Sequence, residues 1–228
     1  RGAFGGHASL NTSLEGYYAF DSDATDSTGT QNGTVSGATY GSSSGVISGG
    51  YSFDGDVNYI EIGRGTWAQT AASFSLWVKN NNADASVSVY MFSRNEGGDN
   101  AGDFSFIWWT NEKYNFYSQD GVGGDLDVDI SADDAVTDTN WHHVVVTYDA
   151  TSTIMYVDGS AQADVGAGID IAAHANSYKM GIGQINGGDA TVSGAGWDGF
   201  IDEVGIWNKK LSAQEVTDLY NSGSGLTY

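Results

Sequence analysis

Short apolar runs with a two-residue period recur along this chain, each closed by Gly, Asn, Asp or Ser before the next begins. Phe74, Leu76 and Val78 alternate with Ser75, Trp77 and Lys79. That period puts the first three on one face of an extended strand and the others on the opposite face. Similar strand signals cover Leu14 to Phe20, Tyr51 to Ile62 with an Asp54-Gly55 turn inside it, Val87 to Ser93 and Phe104 to Trp109. Further along come Trp141 to Tyr148, Ile154 to Val157, Tyr178 to Gly183 and Phe200 to Trp207. Trp141 to Tyr148 is the strongest, with three consecutive valines at its centre, and Asp158-Gly159 after Val157 is a preferred tight hairpin turn.

One helix is predicted. Ser212-Ala-Gln-Glu215 is a capping box, Val216, Leu219 and Tyr220 share a helical face, and Gly223 is placed to end it. Many strands followed by one short helix exclude a βαβ arrangement and predict an all-β, two-sheet antiparallel β-sandwich. With 228 residues, 40% of them hydrophobic and 13% aromatic, the chain fills one such domain. Residues 1–14, rich in Gly, Ser and small residues, are expected to be a linker or docking arm, with the domain over 15–228. The chain opens on Arg1 without a secretory apolar core, so it is expected to be a piece of a larger parent chain.

Charge narrows the partners. The net charge of −21 comes from 29 acidic against 8 basic residues, which disfavours nucleic acid and anionic membrane surfaces. No apolar run approaches the ~20 residues of a membrane span, so no membrane insertion is expected. Cysteine is absent, which excludes disulfides and thiolate zinc sites, and proline is absent, which leaves turns to Gly, Asn and Asp. Most carboxylates keep the surface solvated; a few have the chemistry of hard-cation ligands.

Four blocks stand out, in a set order along the chain. The first is Gly16-Tyr-Tyr-Ala-Phe-Asp21, followed by Asp26-Ser-Thr-Gly29 and Asn32-Gly33. The second is Tyr51-Ser-Phe-Asp-Gly55 with Tyr59-Ile-Glu-Ile62 and Phe74-Ser-Leu-Trp-Val-Lys79. The third is Trp141-His-His-Val-Val-Val-Thr-Tyr-Asp149 with Tyr156-Val-Asp-Gly159. The fourth is Gly199-Phe-Ile-Asp-Glu-Val-Gly-Ile-Trp-Asn208, ending in Leu211-Ser212. In this order the four blocks resemble the laminin-G-like (concanavalin-A-like lectin/glucanase) jelly-roll family of bacterial and viral surface proteins.

The resemblance implies a structural calcium between the 26–33 loop and the Ile201-Asp-Glu-Val204 block. Asp26, Asn32 and Asp202 are its candidate ligands, oxygen donors of the kind calcium takes, although the loop alone is equally an ion-free Asx turn. Sugar binding would rest on aromatics and hydroxyl partners, for which Arg94, Trp108, Trp109 and Tyr114 are candidates, with one of the two tryptophans facing outward. His142 and His143 point to opposite faces of their strand and read as structural.

Three expectations for function follow. The leading one is a non-catalytic recognition or adhesion module that binds glycan or a surface protein, displayed on a cell or virion surface or otherwise extracellular. A structural assembly protein (capsid decoration, fibre or pilus subunit) using the N-terminal arm is the second. A glycoside hydrolase is the third, with Asp125, Asp127 and Asp129 at strand spacing as its carboxylates. No nucleophile elbow or nucleotide loop adds another enzyme class.

Overall fold

A computed structural model describes residues 7–63, 68–82, 86–94, 103–119, 128–171, 179–184 and 195–226. The strands are β1 (Leu14–Tyr18), β2 (Thr34–Ser36), β3 (Thr39–Gly41), β4 (Gly50–Asp54), β5 (Tyr59–Ile62), β6 (Ala72–Asn80), β7 (Val89–Arg94) and β8 (Asp103–Trp108). They continue with β9 (Tyr114–Gln119), β10 (Val128–Ser131), β11 (Trp141–Tyr148), β12 (Ser152–Val157), β13 (Ser160–Ala167), β14 (Met180–Ile182) and β15 (Asp198–Trp207). One helical turn, α1 (Ala8–Asn11), precedes them, and the helix α2 (Ala213–Tyr220) follows.

Two antiparallel sheets face each other. One has the order β13-β12-β11-β6-β15-β4-β3, with β1 also on β15; the other runs β10-β9-β8-β7-β14-β5-β2. The segment Tyr51 to Ile62, read as one interrupted strand, is two: β4 and β5 belong to opposite sheets, and the Asp54-Gly55 turn carries the chain across. Gly55 has φ +82°, a left-handed conformation that costs glycine nothing.

Phe74, Leu76 and Val78 point inward as their alternation requires, and meet Phe92, Phe104, Phe106 and Phe116 from the facing sheet. Phe74 stacks on Phe104 at 4.8 Å and meets Phe92 edge-on at 5.6 Å. Aromatic contacts of this kind add to the area term that holds the sheets together.

The outer face of the first sheet is covered too. Val145, Tyr156 and Trp207 pack there against Leu211, Val216 and Leu219 beside α2. The capping box forms as predicted: Ser212 Oγ accepts the Glu215 N–H while Glu215 Oε2 accepts the Ser212 N–H. Asn221, at φ 48°, supplies the left-handed residue that ends the helix, two positions before the expected Gly223.

Residues 1–14, expected as linker or docking arm, are described from His7 onward, and there they pack on the sandwich. Leu10 is fully buried against the α2 layer, and Trp207 Nε1 donates to the Leu10 carbonyl at 2.7 Å.

β15 organises the site region. Asp198 to Ile201 pair with β4, Tyr17 and Tyr18 pair with Gly205 and Val204, and β6 runs along the other edge. A bulge between Asp202 and Gly205 makes room for this change of partner, with Glu203 at φ 51°.

Candidate functional site

A cavity of about 200 Å³ opens where the ends of β4, β6 and β15 meet the rim of the facing sheet. Asp54 closes β4 and Asp198 opens β15, and antiparallel register sets them directly opposite each other. Asn80, the last residue of β6, pairs with Gly199 and stands beside them. Asn82, Ser86, Val89 and Trp108 complete the polar and apolar walls. Trp108 meets Trp197 edge-on at 6.5 Å, which fixes the indole forming part of the lining.

The polar groups here are held but not exhausted. Asp54 Oδ1 accepts the Asp56 N–H at 3.2 Å, and Asp198 Oδ1 accepts Asn81 Nδ2 at 3.0 Å. Asn80 Oδ1 accepts the Asn82 N–H at 3.0 Å, while Asn80 Nδ2 is buried with no hydrogen-bond partner. A buried amide donor without an acceptor costs about 1–3 kcal/mol, so a ligand oxygen that reached it would recover that penalty.

The sequence candidates are placed differently. Arg94 is the last residue of β7, paired with Phe104 of β8, and lies fully buried with its guanidinium 5.7 Å from the Phe104 ring. Burial pulls its pKa down to about 10 against the upward pull of Asp103. Tyr114 is also interior, and burial raises its phenol well above the ordinary range. Neither is presented at a surface, because each sits within a strand whose flanks are covered. Trp108 is buried and reaches the cavity only as wall; Trp109, half-buried, lies past the strand end at a turn. Asp54, Asn80, Asn82 and Asp198 were not singled out by sequence. Their one available signal was position, since Asp54 and Asp198 flank strand motifs of the second and fourth blocks.

The three metal candidates are in different states. Asp26 is buried and both its oxygens are engaged: Oδ1 accepts from Tyr17 N, Thr28 N and Thr28 Oγ1, and Oδ2 from Thr30 Oγ1 and Gln31 N. Asn32 Oδ1 accepts the Asp26 N–H at 3.1 Å. These residues knit the 26–32 loop to β1. Asp202 is fully buried at the bulge, where Oδ2 accepts the Ile47 N–H at 3.2 Å and Oδ1 has no partner. Burial, against backbone N–H groups of Ile47, Glu203 and Val46 and with the charge of Asp21, pushes its pKa up to about 8. A carboxylate with one orphaned oxygen fits a hard cation; Asp26 and Asn32, already engaged, offer it little. Among the described residues no three His, Asp or Glu side chains converge as a metal cluster.

A Ser–His pair lies under α2. Ser75 Oγ and His143 Nε2 are 2.8 Å apart, but both residues are buried and His143 stacks on Trp77 at 4.9 Å and Tyr220 at 6.2 Å. Burial lowers the imidazole pKa to about 3, opposed by Asp158, so it is a weak base. His142, on the other face as expected, lies 2.8 Å from Asp158 and 3.0 Å from Asp138. Of the carboxylates proposed for hydrolysis, Asp125 and Asp127 lie outside the described residues, and Asp129 is exposed on β10.

Residues 53–217 match the family described as the concanavalin A-like lectin/glucanases superfamily. No curated protein sequence matches the chain. Domain 4 of a GH43 extracellular arabinanase from Geobacillus stearothermophilus, in complex with arabinotriose, is similar at a TM-score of 0.68 and 21% identity, over 90% of this chain and 97% of that one. The binding domain of Paraclostridial Mosquitocidal Protein 1 aligns at 0.71 and 17% identity, over 94% of this chain and 53% of that one. A Trypanosoma rangeli sialidase aligns at 0.63 and 15%, over 92% of this chain and 33% of that one. Identities this low show the shared fold.

Proposed function

Because this chain belongs to the concanavalin A-like lectin/glucanase superfamily, we propose that it is a non-catalytic recognition module that binds glycan in the cavity between Asp54, Asn80, Asp198 and Trp108. One observation carries the reading: Asn80 contributes a buried, unpartnered donor to a wall that also presents the carboxylate oxygens of Asp54 and Asp198. A sugar hydroxyl both donates and accepts, so a single group can answer both kinds of partner. The cavity is smaller than the ~300–1,000 Å³ of drug-sized sites, which suits one ring or chain end rather than a long polymer. The solved relative holding arabinotriose supports a sugar as occupant. The buried, weakly basic Ser75–His143 pair supports a role without catalysis.

Calcium belongs to the same reading as a structural ion. Asp202 would be its carboxylate ligand, with backbone carbonyls and water completing the oxygen shell, and its charge would relieve the burial of Asp202. Display outside the cell is part of the proposal, in keeping with the extracellular arabinanase and the toxin binding domain. Among the described residues no helix is long and apolar enough to cross a membrane.

A broad glycan array followed by calorimetry tests the proposal. Binding of at least one carbohydrate is expected, weakened tenfold or more by Asn80→Ala with an unchanged melting profile. Silence across the array, or binding indifferent to Asn80→Ala, refutes it.

A further inference from the structure

We infer that the cavity selects neutral, hydroxyl-rich sugars and turns away glycans bearing carboxylate, sulfate or phosphate groups. This rests on the recognition reading above and adds a substrate class to it. Among the described residues the lining contains two carboxylates, Asp54 and Asp198, two amides, Asn80 and Asn82, the Ser86 hydroxyl, and no Lys, Arg or His.

Cations from elsewhere in the described structure are committed. Lys79 neighbours Asn80, but adjacent strand residues face opposite ways, and its ammonium lies 5.9 Å from the Phe200 ring. Arg94 is fully buried. Lys113 donates to the Asp133 carbonyl at 2.6 Å, and Lys179 pairs with Glu61. Lys209 pairs with Glu215 at 2.6 Å, and Lys210 with Asp149 at 3.2 Å. With the whole chain at −21, the field around the cavity has the same sign as an anionic ligand.

The hydrogen-bond chemistry agrees. Carboxylates accept only, and each of these two oxygen pairs has one bond from its own chain and capacity for more. Sugar hydroxyls can donate into that capacity; a carboxylate or sulfate cannot, and loses hydration without replacement. Two like charges at about 6 Å in a water-like dielectric weaken binding of a singly charged ligand by roughly tenfold.

The experiment pairs neutral oligosaccharides with their sialylated, sulfated or uronate counterparts and titrates each against the wild-type chain at low and high sodium chloride. Neutral members are expected to bind at least tenfold more tightly at low salt, with the gap narrowing at high salt as screening shortens the repulsion. Asp54→Asn and Asp198→Asn are each expected to narrow it further; the salt comparison needs no variant and stands if either fails to fold. Equal or tighter binding of the anionic member overturns the selectivity while leaving glycan recognition intact. Binding of neither member overturns both.

Discussion

Replacing Leu10 with alanine asks whether the N-terminal stretch is part of the domain. Leu10 is fully buried in the cluster that holds Trp207 and Val216. The substitution removes three carbon groups at about 0.8 kcal/mol each and leaves a partly relaxed cavity, so about 3 kcal/mol is expected. For 228 residues, an unfolding entropy near 2.1 cal/mol/K per residue converts this into a fall of about 6 °C in Tm. Differential scanning calorimetry reads it directly. The bond from Trp207 Nε1 to the Leu10 carbonyl uses backbone and should survive, so Leu10→Ala ought to leave glycan affinity unchanged. A fall below about 1 °C would mean that α1 is detached in solution, and the reasoning that makes residues 7–13 part of the sandwich would fail.

Other outcomes follow from groups already described. With calcium at a hundredfold its Kd, Tm should rise by about 5 °C over chelator, near the ~2.7 kcal/mol of mass action, and Asp202→Asn should abolish the rise. His143 titrates near 3 when folded against an ordinary 6.5, so the unfolded chain takes up the extra proton between those values. Its contribution is therefore intact above about pH 6.5 and is lost as pH falls towards 3. Lowering pH from 7 to 5 should cost the wild type about 2 kcal/mol more than His143→Gln, compared by urea unfolding at both pH values. Ser212→Ala should lower stability by about 1 kcal/mol through loss of the N-cap of α2, read as a drop of about 2 °C in Tm.

The sequence made the scaffold legible where burial is one-sided or capping is local. Alternation in Phe74 to Val78 set the inward face of β6, and Ser212 with Glu215 set the start of α2. Short or exposed strands escaped: β2 and β3 are three residues long and β13 carries mostly small or polar residues, and pairing with neighbours, not propensity, makes them strands. The site was less legible, because it is assembled by register. Asp54 and Asp198 are 144 positions apart and become opposed only when β4 pairs with β15. Arg94 misled for the converse reason. A charged side chain reads as a surface group in sequence, while register pairs Arg94 with Phe104 and buries it.

The bulged strand β15 is made last and placed centrally. On emerging from synthesis it must insert between β6 and the β4–β1 edge, bringing Asp198 to the cavity, Asp202 to the 45–49 loop and Trp207 to the N-terminal turn. A nascent chain that stops before β15 thus carries two unzipped sheet edges and neither proposed binding centre. Completion of this domain is thus gated by long-range pairing that is intrinsically slow, and a break before β15 should cost the entire domain rather than one corner of it.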